Sequence, residues 1–217
     1  MTPGSTTETF QNWLKKRLQD SLPGKNAHNR MLPEPAGDSP EIPQDSIDSS
    51  GHPSGVLVPI FPDDSGDPSV ILTLRTDTIR HAGQISFPGG RSDSGETIIE
   101  TALRETREEI GISESKIEVA GTLSPFYLYR THNRITPVVG VLEEEPDMRR
   151  HEAEVAEIIT VKLDVLLSQN YLKREKWELA QSTYWVPYWN FHRVPLWGAT
   201  AMMMSELLEL YREFLED

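Results

Sequence analysis

The chain has 217 residues, a formal net charge of -13 and no cysteine. The length suits one sizeable core. The acidic balance argues against a nucleic-acid binder, which needs basic faces, and the lack of Cys excludes disulfides, thiolate ligands and a cysteine nucleophile. No run reaches the ~20 apolar residues of a membrane span. The first ten residues show no basic segment leading into an apolar one, so a soluble, cytoplasmic protein with no membrane partner is expected.

In chain order, Phe10, Trp13, Leu14, Leu18 and Leu22 recur at helical spacing and predict an amphipathic helix over 6–22. Residues 33–54 are rich in Pro, Ser, Gly and Asp without apolar period and read as a long extended loop. Segments 55–61 and 69–75 are β-rich and flank a turn, which predicts a hairpin. A short strand is expected at 83–87, a helix at 95–110, and strands at 117–129 and 133–143. Segment 154–163 reads as a strand running into a helix start, 182–191 as an aromatic strand, and 199–216 as a closing helix. This interleaving predicts an α/β chain built on one mixed sheet. Its expected parts are a helical extension (1–32), a loop (33–54) and a main domain (55–217).

The stretch FPGGRSDSGETIIETALRETREEIGI (87–112) adds five glutamates between positions 96 and 109 of an already acidic chain. At about 100° per residue, Ile99, Leu103, Thr106 and Ile110 form an apolar stripe. Glu96, Glu100, Arg104 and Arg107 form a face that can pair with itself at i,i+4. Glu105, Glu108 and Glu109 form a third face of like charge. The residues alone leave two readings open, a solvated acidic face or a cation site. Pro88-Gly89-Gly90 ahead of the helix tips the balance, because the glycines allow a tight turn that brings backbone carbonyls near the carboxylates. An all-oxygen set suits Mg2+ or Mn2+.

The same stretch resembles the Nudix box, G-x5-E-x7-R-E-U-x-E-E-x-G-U, through Gly90, Glu96, Arg104, Glu105, Glu108, Glu109, Gly111 and Ile112. Thr106 departs from it where an aliphatic residue is usual. The resemblance implies a Nudix α/β/α sandwich with a central mixed sheet, and divalent-metal-dependent hydrolysis of a nucleoside diphosphate derivative. It implies Glu105, Glu108 and Glu109 as side-chain ligands, a Gly89 carbonyl ligand, and Arg104 and Glu96 orienting the loop and glutamates. The general base in this family is a box glutamate or one from a later loop. Here the later candidates are Glu143, Glu144, Glu145, Glu152, Glu154 and Glu157. Glu154 is preferred because it immediately precedes an apolar run, and Glu105 competes with it.

Residues 71–90, with Leu72, Thr73, Arg75, Gly83 and Phe87 to Gly90, resemble the extra motif of coenzyme A pyrophosphatases. Thr76 replaces a usual Ser or Ala, and the Arg75–Gly83 interval is one residue short. The WGATA run at 197–201 resembles the opening of the last helix in that family. The resemblance implies a coenzyme A-like nucleotide substrate, cleaved to 3',5'-ADP and (acyl-)4'-phosphopantetheine, and it allows for a homodimer. Arg75, Arg80 and Arg91 offer guanidiniums that match phosphate geometry, and His81 a hydrogen-bond donor. Alternatives are hydrolysis of another nucleoside diphosphate derivative such as ADP-ribose, and a nucleotide sensor without catalysis. The intact box disfavours the sensor. An isopentenyl diphosphate isomerase of the same fold would need the cysteine that this chain lacks.

Overall fold

The computed structural model describes residues 6–41, 51–76, 83–129 and 131–217. Its elements are α1 (Thr6–Arg17), α2 (Lys25–Asn29), β1 (Glu34–Pro35), β2 (His52–Pro62), β3 (Pro68–Arg75), β4 (Ile85–Ser86), β5 (Gly89–Arg91) and α3 (Ile98–Ile110). They continue with β6 (Glu118–Thr122), β7 (Phe126–Leu128), β8 (Asn133–Val141), β9 (Val155–Lys162), α4 (Leu163–Leu167), β10 (Leu172–Leu179), β11 (Ser182–Trp189) and α5 (Gly198–Glu216).

The main sheet has eight strands and runs β4-β3-β2-β8-β6, with β9 on β3, β5 on β2 and β7 on β8. It is mixed: β2 and β8 run parallel over nine residue pairs and every other pairing is antiparallel. The expected hairpin is present, with Ile60 opposite Val70. A second sheet, β1-β11-β10, is antiparallel.

Alternation along the strands builds two apolar layers. Val56, Val58, Ile60, Val70, Leu72 and Leu74 face a cluster shared with α1, α4 and α5. Leu57, Phe61 and Ile71 face the opposite way, against Ala102 and Ile110 of α3. The result is helices on both faces of a mixed sheet. Phe10 and Leu14 of α1 are fully buried in the first cluster, so this helix packs into the same core as the sheet. Met202, Met203 and Met204 pack there from α5.

Several expectations change in detail. The first helix ends at Arg17 rather than continuing to 22. The single strand expected over 117–129 is two, β6 and β7, and β2 begins at His52, inside the expected loop. Within that loop, Glu34 and Pro35 pair with β11, and residues 42–50 lie outside the described residues. The charged strand β10 was not anticipated at all.

Candidate active site

The central helix α3 is specified locally. Thr97 caps it by accepting from the Glu100 amide (3.3 Å), while the Glu100 carboxylate accepts from the Thr97 amide (2.8 Å), a reciprocal capping box. At the other end Gly111 takes the left-handed conformation (φ 76°), and its amide donates to Arg107 O (3.0 Å). Glu100 therefore serves the cap, not the expected pair with Arg104.

The face of α3 that meets the sheet also differs from the wheel. Thr101, Ala102, Thr106, Glu109 and Ile110 are buried, whereas Ile99 is 41% exposed. Close approach is the cause. Gly55 of β2 lies directly under the helix, and a Cβ there would stand 2.4 Å from Ile98 O and 3.0 Å from Ala102 N. Only small side chains fit at such a crossing, so Thr101 and Ala102 take it and the larger Ile99 turns outward.

Gly90 of β5 pairs with Gly55 and continues this glycine floor. A Cβ on Gly90 would fall 2.4 Å from Glu105 Oε1. The glycine thus leaves the room that the Glu105 carboxylate occupies. Gly89 has φ 154° and packs onto Val56, a backbone position that L side chains rarely adopt.

Arg104 organises the surrounding glutamates, and all five of its N–H donors find acceptors. Nε donates to Glu96 Oε1 (2.8 Å), and Nη1 to Glu105 Oε1 (2.9 Å) and Glu108 Oε2 (3.2 Å). Nη2 donates to Glu96 Oε2 (3.2 Å) and Arg91 O (3.2 Å). Glu96 also accepts from the Asp93 amide (3.0 Å) and the Thr101 hydroxyl (2.8 Å). The Arg104 guanidinium and these donors hold Glu96 down to about 2, and the carboxylates around Arg104 raise it in turn. Glu96 and Arg104 thus brace the 91–97 loop against the helix.

The three glutamates of the expected trio stand in different environments. Glu108 is 54% exposed at its side chain, Glu105 17% and Glu109 3%. Burial raises the Glu105 carboxyl, against the pull of Arg104 and with a further push from Glu108 and Glu154. Burial pushes Glu109 up to about 7; Arg75 and the Gly89 amide oppose this, while Glu105 and Glu154 reinforce it. Arg75 Nη1 lies 3.5 Å from Glu109 Oε1, and Glu109 Oε2 is buried with no hydrogen-bond partner. The trio is therefore not uniformly unpaired, as the wheel suggested. Arg104 serves two of its members, and only one oxygen, on Glu109, is orphaned.

That orphaned oxygen is the test of fit for a cation. A buried carboxylate with an unused lone-pair set, beside Glu105 and the Gly89 backbone, offers hard oxygen donors of the kind Mg2+ and Mn2+ prefer. Among the described residues no three His, Asp or Glu side chains already converge to hold a metal ion. Arg104 engages Glu105 through Oε1 and Glu108 through Oε2, so each keeps a second carboxylate oxygen. The residue types fit a divalent cation.

Glu154 lies just before β9, where its amide donates to His151 O (3.0 Å) and its carboxylate stands 3.4 Å from His151 Nδ1. The Glu154 charge adds to the upward push on Glu105 and Glu109, and the start of β9 next to it aligns with Arg75, whose partner is Val155. Of the other late glutamates, Glu157 aligns with Leu74, on the sheet face away from α3, and pairs with His192 and Arg193. Glu143, Glu144, Glu145 and Glu152 are exposed. Arg91 turns its side chain to Asn133 Oδ1 (3.1 Å) and Thr131 O (3.4 Å), so only its carbonyl reaches the Arg104 network. Arg80 and His81 lie outside the described residues. Sequence reading overlooked His151, whose amide donates to Glu109 O (2.8 Å); no local pattern marks a loop residue that ties to a helix end.

Fold and site together define an α/β/α sandwich with a braced, glutamate-rich helix laid across a mixed sheet. Residues 51–186 match the NUDIX domain, and the chain belongs to the Nudix family. It is 32% identical over 210 residues to Nudix hydrolase 3 of Caenorhabditis elegans, covering 86% of this chain and 85% of that one. It is 36% identical over 180 residues to the "Uncharacterized Nudix hydrolase NudL" of Photorhabdus laumondii, covering 78% and 90%. The crystal structure of the M. smegmatis Nudix hydrolase RenU shares the fold, with a TM-score of 0.54 at 21% identity over 75% of this chain and 86% of that one. Nudix hydrolases act on phosphoric anhydride bonds of small nucleotide derivatives, generally with divalent metal ions. The chain is accordingly a Nudix pyrophosphohydrolase. Among the described residues no helix is long and apolar enough to cross a membrane.

Proposed function

We propose that the chain hydrolyses the pyrophosphate of coenzyme A or acyl-CoA, giving 3',5'-ADP and (acyl-)4'-phosphopantetheine. The observation that carries this reading is the pairing of Arg75 with buried Glu109. It sets a phosphate-matching guanidinium, from the segment that resembles coenzyme A pyrophosphatases, against the box helix. The two resembling segments also meet in the fold, since the Thr200 hydroxyl, at the start of α5, donates to Ile85 O (3.0 Å).

In this reading Glu105, Glu108, Glu109 and the Gly89 carbonyl hold Mg2+ or Mn2+. A cation there supplies neutralisation of the pyrophosphate oxygens and a lowered pKa for water. Arg104 and Glu96 keep the glutamates and the loop in place. Arg75 steadies a phosphate through its planar fork. Glu154 takes a proton from the attacking water, whose oxygen bonds to one phosphorus. The bridging P–O bond breaks with its electron pair on the other phosphate.

The test is turnover of coenzyme A, ADP-ribose, NADH and diadenosine polyphosphates with Mg2+ or Mn2+, read by product separation. Coenzyme A is expected to have the highest kcat/KM. Faster turnover of any other compound overturns the substrate assignment and leaves the pyrophosphohydrolase intact.

A further inference from the structure

Thr76 immediately follows β3 and is where that strand end touches the segment carrying Glu154. Its amide donates to Glu154 O (2.9 Å) and its hydroxyl to Ala153 O (2.9 Å). From the opposite side, the His151 amide donates to Glu109 O (2.8 Å). His151 O accepts the amides of Glu154 (3.0 Å) and Val155 (2.8 Å), which closes a tight turn. Residues 151–155 thus form a strap between the last turn of α3 and the end of β3. The β3–β9 register shifts between Leu74 and Arg75, so the regular ladder is interrupted just where the strap begins. Such irregularities re-aim side chains, and here Thr76 supplies the anchoring that the ladder does not.

We infer that Thr76 is a positioning residue for Glu154: its hydroxyl, anchored on Ala153, fixes the strap that carries Glu154 between the ends of β3 and α3, and so sets where that carboxylate stands. The inference rests on the reading that Glu154 takes the proton of the attacking water. Threonine suits the task because its branched Cβ leaves few χ1 choices, so the hydroxyl and the strap hold one another in register. Valine keeps that shape and removes the hydroxyl that bonds Ala153 O. Serine keeps the hydrogen bond.

The experiment compares Thr76→Val and Thr76→Ser, alone and on a Glu154→Gln background, by steady-state kinetics on the fastest substrate of the panel above, with thermal melts as a folding control. Thr76→Val is expected to lower kcat about tenfold and leave KM within about twofold, since small misplacements of a reacting group are costly. Thr76→Ser restores kcat, and Thr76→Val costs nothing further once Glu154 is Gln. Normal kcat in Thr76→Val, with Glu154→Gln impaired, overturns the positioning role alone. So does an equal loss from Thr76→Val on both backgrounds. Wild-type turnover in Glu154→Gln instead overturns the reading of Glu154 itself. Should Thr76→Val fail to fold, Thr76→Ala is read by the same criteria.

Discussion

Glu109 is a carboxylate that the fold holds at a cost. In the unfolded chain it titrates near 4.5, and burial lifts it to about 7 in the fold. Between those values the unfolded chain releases a proton that the folded chain keeps, so stability falls as pH rises through that window and stays low above it. The full effect is on the order of 3 kcal/mol. In chelator, Glu109→Gln is therefore expected to be more stable than the parent at pH 8 and no more stable at pH 4.5, while losing metal-dependent turnover. Denaturant melts at the two pH values check this; an equal difference at both would show that ionisation is not the cause. The residue scale also shows where sequence reading stops. Glu105, Glu108 and Glu109 look alike at i, i+3, i+4. Their separation into braced, exposed and orphaned carboxylates depends on what lies beneath each, namely Gly90, solvent, and Arg75 with Gly89. Those neighbours arrive from strands that no helical wheel contains.

At the scale of elements, α3 and the Gly55–Gly90 floor form one unit, and the two glycines should fail differently. A Cβ on Gly55 meets helix backbone at Ile98 and Ala102, which cannot move without lifting α3. Gly55→Ala is expected to destabilise by about 1–3 kcal/mol, as overpacking does. The nearest atoms to a Cβ on Gly90 are the carboxylate end of Glu105, a flexible group that can swing away. Gly90→Ala should then melt near the parent temperature yet lose roughly 10- to 100-fold in kcat. Melting curves and kinetics on the same two variants decide it, and a Gly90→Ala enzyme with normal kcat would remove Glu105 from the site. Most long elements were legible because their apolar spacing is strong, as in α5 and β3. β10 was not, because Lys173, Arg174, Glu175 and Lys176 are exposed along it and give no alternation. Such charge protects a sheet edge from stray pairing, so it conceals the strand from a reading based on hydrophobic period. β5 was missed because two of its three residues are glycines selected for close approach.

Over the whole molecule, the layer opposite α3 is tied together by one buried carboxylate. Glu206 of α5 is fully buried. It accepts from the Gly24 amide (2.9 Å), the Ser124 hydroxyl (2.6 Å) and the Ser124 amide (3.1 Å), and contacts His28 Nε2 at 3.0 Å. It therefore joins α2, α5 and the β6–β7 connection at one point. Burial alone would raise this carboxyl, but His28, Ser124 and Gly24 outweigh it and leave it below the ordinary carboxylate value. A lowered pKa contributes stability above the unfolded value and loses it as pH falls through the folded one. Glu206→Ala removes the acceptor and strands buried donors of α2 and of the β6–β7 connection at once. A loss of about 3–5 kcal/mol is expected, the range for breaking a buried ion pair from one side. Glu206→Gln keeps an acceptor and should lose less, with a flatter decline of stability toward acid pH. The hub lies on the far face of the sheet from Glu109, so kcat per folded molecule should hold in both variants. Urea titrations across pH, paired with kinetics, separate the two effects. If Glu206→Ala unfolds within about 1 kcal/mol of the parent, those donors have found water, and the hub does not hold the layer together.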